Sequence, residues 1–130
     1  MLTNILLVGI GSMVGGISRY LLSGYIHRIF STDFPLGTFL VNVTGCFLIG
    51  IIAALFTSSN LLTNNHRILL AVGFCGSFTT FSTFSLDNLN LLTTGAYRLL
   101  VLNVAGSLIA GIFATWLGFL VVRNVSFKLF

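Results

Sequence analysis

Gly73-Phe74-Cys75-Gly76-Ser77-Phe78-Thr79-Thr80-Phe81-Ser82-Thr83-Phe84-Ser85 decides how this chain is read. The segment lies inside an apolar stretch long enough to cross a bilayer, yet five of the seven residues from Ser77 to Thr83 carry hydroxyls. A helix facing lipid gains nothing from them, because polar groups inside a membrane are costly unless they meet protein or water. Glycines that let the backbone leave the helix, hydroxyl donors and aromatic ring edges together suit an ion better than a lipid tail.

The rest of the chain supports a membrane setting. Of 130 residues 56% are hydrophobic and only 6% are charged, with a mean hydropathy of +1.08. Soluble domains carry about a quarter charged residues, so this chain cannot cover a surface facing water. The acids are Asp33 and Asp87; the bases are Arg19, Arg28, Arg67, Arg98, Arg123 and Lys128. A net charge of +4, scattered in this way, gives no footprint for nucleic acid and fits bases at helix ends among headgroups. Cys46 and Cys75 sit in apolar segments without metal-ligand spacing and read as small buried side chains. No cleavable leader is evident, since the first apolar stretch starts at Met1 without a positive leading region.

A spanning helix needs about 20 apolar residues. Four stretches qualify, at about 2–25, 36–56, 67–92 and 97–122, giving an all-α, single transmembrane domain. Pro35 suits the first turn of the second span. The loops are short, at His27 to Asp33, Thr57 to Asn65 and Thr93 to Gly95, and the tail from Arg123 to Phe130 reads as interfacial. With four spans both termini share a side. Arg67, Arg123 and Lys128 then lie on that side, and Arg19, Arg28 and Arg98 on the other. Three bases against three give the positive-inside rule no direction. One explanation is insertion in both orientations, a population that could form antiparallel dimers; the other is that one or two bases belong on the opposite side of a span end. Gly11 and Gly15, and Gly106, Ala110, Ala114 and Gly118, form rows at four-residue spacing that allow close helix approach, within the chain or between chains.

Several polar residues could carry function. Asn42 shares a helical face with Thr38 and Gly45, and its amide could serve an ion or join two helices. Asn103 and Ser107 form a second polar strip with the same two readings. Phe81 and Phe84 share a face, interleaved with Thr80 and Thr83; their positive ring edges could rest against an anion while hydroxyls donate to it. Arg19 either snorkels to the interface or puts positive charge at the mouth of an anion path. Asp87 is expected near the opposite mouth or the interface; His27 and His66 read as solvated loop residues. Enzyme chemistry has little support, because no intramembrane histidine accompanies a serine or cysteine and no carboxylate pair exists.

The third-span run, with Gly15-x-x-x-Arg19-Tyr20 and Gly37-Thr38-x-x-x-Asn42-x-x-Gly45, resembles the Fluc (CrcB-like) fluoride channels over the whole chain. The resemblance implies a passive fluoride channel of the bacterial inner membrane, assembled as an antiparallel, dual-topology homodimer with a break in the third helix. It implies that Phe81, Phe84 and Asn42 line each pore, with Thr38, Thr83, Ser107 and Arg19 contributing. It also implies a central sodium between subunits, held by the backbone carbonyls of Gly76 and Thr79. Ser77 stands where the family usually has a second glycine, and Asn103 where it often has tyrosine. A proton-coupled small multidrug-type transporter is the alternative, but such exporters need a membrane-embedded acid, and the first span has none.

Overall fold

The computed structural model describes residues 1–58 and 62–128, with side chains described except at 58 and 125–128. Its elements are α1 (Leu2–Ile29), α2 (Leu36–Ser58), α3 (Asn64–Arg67), a π-helical segment (Ile68–Cys75), α4 (Gly76–Phe78), α5 (Phe81–Thr93) and α6 (Tyr97–Lys128). Among the described residues four helical stretches are long and apolar enough to cross a membrane: Leu2–Ile29, Leu36–Thr57, Asn64–Thr93 and Tyr97–Asn124.

The ends follow local chemistry. α1 runs on to Ile29 because no breaker lies between Tyr25 and that point; Pro35 then disfavours helix at the residue before it. α3 starts at a capping box in which Thr63 and His66 each bond the other's backbone or side chain. α5 ends in a Schellman turn: Gly95 has φ +74°, its N–H donates to the Leu92 carbonyl, and the Ala96 N–H donates to Leu91. The interfacial tail expected from Arg123 instead continues α6 in helical form to Lys128, since no breaker interrupts it; its last two residues lie outside the described residues. The expected loop from Thr57 to Asn65 likewise lies partly outside them, at 59–61.

Packing follows the small residues. α2 packs chiefly on α6, and α1 on the π segment and α4. A Cβ at Gly118 would strike the Phe47 carbonyl oxygen, and one at Gly50 the Thr115 carbonyl oxygen. On the other side, a Cβ at Gly11 or Gly15 would strike the carbonyl oxygen of Leu69 or Phe74. The small-residue rows therefore serve close packing inside the chain, where loss of side-chain bulk brings backbones together. Large apolar side chains such as Ile109, Ile112 and Trp116 point outward, as lipid or a partner requires.

The third span is the irregular one. Its π segment winds more widely than an α-helix, a form that gathers at functional sites. Ser12 on α1 donates its hydroxyl to the Gly73 carbonyl there at 3.5 Å. After α4 the helix stops: Thr79 (φ −80°, ψ 157°) and Thr80 (φ −148°, ψ 117°) are extended before α5 begins.

Candidate functional site: a clamped helix break beneath a cavity

The face of α2 predicted from Thr38, Asn42 and Gly45 lies against this break. Asn42 grips Thr80 with both ends of its amide: Oδ1 accepts from the Thr80 N–H at 2.8 Å, and Nδ2 donates to the Thr80 carbonyl at 3.1 Å. One of the two Nδ2 hydrogens remains for another acceptor. Gly45 lies one turn on, where a Cβ would collide with the Thr79 Cγ2 and lie 3.2 Å from Phe78. Thr79 cannot turn aside freely, because its hydroxyl donates to the Cys75 carbonyl at 2.9 Å.

Thr80 then caps α5. Its Oγ1 accepts from the Thr83 N–H at 3.2 Å and donates to Thr83 Oγ1 at 3.0 Å, with Ser82 Oγ 3.2 Å away. This arrangement frees backbone oxygens. In a continuous helix the Thr80 N–H would serve the Gly76 carbonyl and the Thr83 N–H the Thr79 carbonyl. Both donors have gone to side-chain oxygens instead. The two carbonyls that the family resemblance gives to sodium are therefore among those that lose their helical donors, together with those of Ser77 and Phe78. Gly76 is exposed on the single chain and Thr79 half-buried, and carbonyl oxygens are suitable ligands for a hard cation. The residues present fit such an ion.

A cavity of about 950 Å³ opens onto the break. Thr38, Thr80 and Thr83 line it, with Arg19, Asp33 and Asp87. Thr38 and Thr80 are buried. Arg19 thus faces the cavity rather than lipid alone. Asp87, expected near the opposite mouth or the interface, lines the same cavity as Arg19. The reason is topological: the first and third spans run in the same direction, so their late residues share a side. The Asp87 Oδ2 is buried without a hydrogen-bond partner among the described residues.

The phenylalanines form a separate feature at the start of α5. Their ring centroids are 5.7 Å apart with planes tilted by 36°, and Phe81 is 79% exposed on the single chain. Neither they nor Asn42 lines the cavity. Ser107 also lies off it, in a chain of side-chain amides: its hydroxyl is 3.5 Å from Asn103 Oδ1, and Asn103 Nδ2 donates to Asn88 Oδ1 at 2.9 Å. Asn88 escaped the sequence reading. Its signal was its position: Asn88 and Asn103 stand seven and eight residues from Gly95, at matching heights on a tight helical hairpin.

Comparisons with known proteins agree with this architecture. Residues 6–119 match the family model described as "CrcB-like protein, Camphor Resistance (CrcB)". A protein of Azobacteroides pseudotrichonymphae named "Fluoride-specific ion channel FluC" is 46% identical over 123 residues, covering 95% of this chain and 98% of its own length. A protein of the same name from Phocaeicola vulgatus is 44% identical over 115 residues, covering 88% and 94%. With the match extending from the first span almost to the end of the fourth, the chain belongs to the CrcB-like family.

Proposed function

We propose that the protein is a passive, fluoride-selective channel that lets the cell lose fluoride and so lowers its toxicity. The observation that carries this reading is the 46% identity, over nearly the full length of both chains, to a protein named as a fluoride-specific ion channel. The geometry supports it. A small anion gives up its water only where fixed donors replace it. Thr38 and Thr83 bring hydroxyls to the cavity wall, and Asn42, bonded to Thr80 on that wall, keeps a spare amide hydrogen. In this reading Arg19 draws anions into the cavity. Phe81 and Phe84 offer ring edges, and Ser107 a hydroxyl, farther along the route.

One observation favours the proton-coupled alternative: Asp87 places an unpartnered carboxylate oxygen beside the cavity. It lies seven residues beyond Thr80, about 10 Å along a helix, which removes it from the break. Liposomes holding only this protein separate the two readings. Fluoride should leave down its own gradient, with chloride nearly excluded and no proton gradient imposed. Equal chloride flux would refute selectivity, and strict dependence on a proton gradient would refute a channel.

The working unit in this proposal is an antiparallel homodimer of dual topology. Three bases on each side support it, as does Phe81, which is too exposed on one chain to enclose an ion. A sodium ion would sit between subunits, held by the carbonyls of Gly76 and Thr79 as a fixed structural charge. Lysines added at one end should force a single orientation and abolish flux, and coexpression with the oppositely biased form should restore it. Full activity of one forced orientation alone would show that antiparallel pairing is not needed.

A further inference from the structure

We infer that Asn88 and Asn103 form an amide pair that positions the Ser107 hydroxyl on the ion route. This rests on the reading of Ser107 as a pore hydroxyl and adds to it a residue, Asn88, on a different helix.

Asn103 is only 1% exposed, in the middle of an otherwise apolar stretch of α6. Its Nδ2 is held by Asn88 Oδ1 at 2.9 Å, and that bond turns its Oδ1 toward Ser107. Stability alone is a poor reason to bury the Asn103 carboxamide and pair it with Asn88 here. Hydrogen bonds between membrane helices contribute about 0.6 kcal/mol on average, and the α5–α6 hairpin is already closed by the turn at Gly95. The arrangement is directional instead. It leads from Asn88, next to Asp87 on the cavity wall, through Asn103 to Ser107 one turn farther along α6.

The last contact has the character of a resting partner. At 3.5 Å, the Ser107 hydroxyl is beyond the usual O–H···O range. Its hydrogen is therefore easily drawn away by an anion, while the neighbouring amide keeps the serine oxygen from being left among apolar groups. Asn103 fixes where that hydrogen waits, and Asn88 fixes Asn103. Both are positioning residues in this scheme and neither need touch the ion.

The experiment compares Asn88→Leu, Asn103→Leu, the double variant and Ser107→Ala. Fluoride flux per assembled channel and the thermal midpoint are read for each. Each leucine alone strands a buried amide and should lower the midpoint. The double variant removes both partners, which restores stability when a bond is only structural. If the pair positions Ser107, the double variant should regain the wild-type midpoint while its flux stays down by about tenfold, the rate equivalent of one hydrogen bond. Adding Ser107→Ala to it should lower flux no further. Wild-type flux in the double variant would overturn the inference and leave the channel reading intact. Wild-type flux in Ser107→Ala would overturn it by removing Ser107 from the route. Should the double variant not assemble, Asn88→Ala decides the matter, because Asn88 is only half-buried and loses little packing. An assembled channel with about tenfold lower flux supports the inference; unchanged flux overturns it.

Discussion

Isoleucine in place of Phe81 or Phe84 is expected to leave the channel assembled and to cut fluoride flux per assembled channel by about tenfold or more. Phe81 is 79% exposed on the single chain, so it contributes little to packing within that chain. Volume-conserving apolar swaps cost less than about 1.5 kcal/mol even in a core. Isoleucine keeps the bulk and apolar character and removes the ring quadrupole. Quadrupole contacts between aromatic pairs are worth about 0.5–1.5 kcal/mol; a ring edge meeting an ion is expected on at least that scale, and the upper figure corresponds to about tenfold in rate. The two rings lie 5.7 Å apart at the first turn of α5, directly after the extended Thr79–Thr80 pair. An ion leaving the break would meet them next. Flux normalised to assembled channel is the measurement. Wild-type flux in both isoleucine variants would mean that the rings face lipid or merely fill a contact with a partner, and that the path lies on another face.

The spans were legible because a bilayer imposes a long apolar stretch, a requirement that composition satisfies or fails outright. The break was legible for a similar reason: Gly76, Thr79 and Thr80 concentrate small and hydroxyl-bearing residues where an unbroken lipid-facing helix needs neither. What fixes the break was less visible. Thr38, Asn42 and Gly45 could be put on one face by helical period, but the period does not say which neighbour that face meets. It meets Thr79 and Thr80, so Asn42 has a definite structural task. The π segment at Ile68–Cys75 could not be read at all, because an offset of one residue in backbone bonding leaves no mark in an apolar run. Of the two places expected for Asp87, the mouth opposite Arg19 is excluded, because the first and third spans run in the same direction and their late residues share a cavity. Asn88 was missed because an asparagine near a helix end looks solvated until the hairpin brings Asn103 beside it.

Two substitutions at Asn42 should separate the clamp from the pore, and one of them should have the largest effect on flux. Asn42→Asp keeps an oxygen for the Thr80 N–H, which donates to Asn42 Oδ1 at 2.8 Å, and loses the donor to the Thr80 carbonyl. It also places a carboxylate beside the path proposed for the anion. Two like charges 4 Å apart repel by about 4 kcal/mol at the effective dielectric of a protein near its surface. Flux should therefore fall by about a thousandfold. Asn42→Leu has nearly the same shape and no charge, but it releases both bonds. The Thr80 N–H is then free to return to the Gly76 carbonyl, and residues 76–80 can rewind toward continuous helix. The carbonyl proposed for sodium regains its helical donor and becomes a poorer ligand. Sodium, compared with a bulky organic cation at equal ionic strength, should raise the thermal midpoint of the wild-type channel. It should do so less, or not at all, in Asn42→Leu, because an ion that binds only the folded state stabilises it in proportion to its affinity. An equal sodium shift in wild type and Asn42→Leu would show that the clamp does not hold the cation site open. No sodium shift in wild type would remove the cation from the break altogether. Wild-type flux in Asn42→Asp would place the anion's path away from Asn42, whatever the cation does.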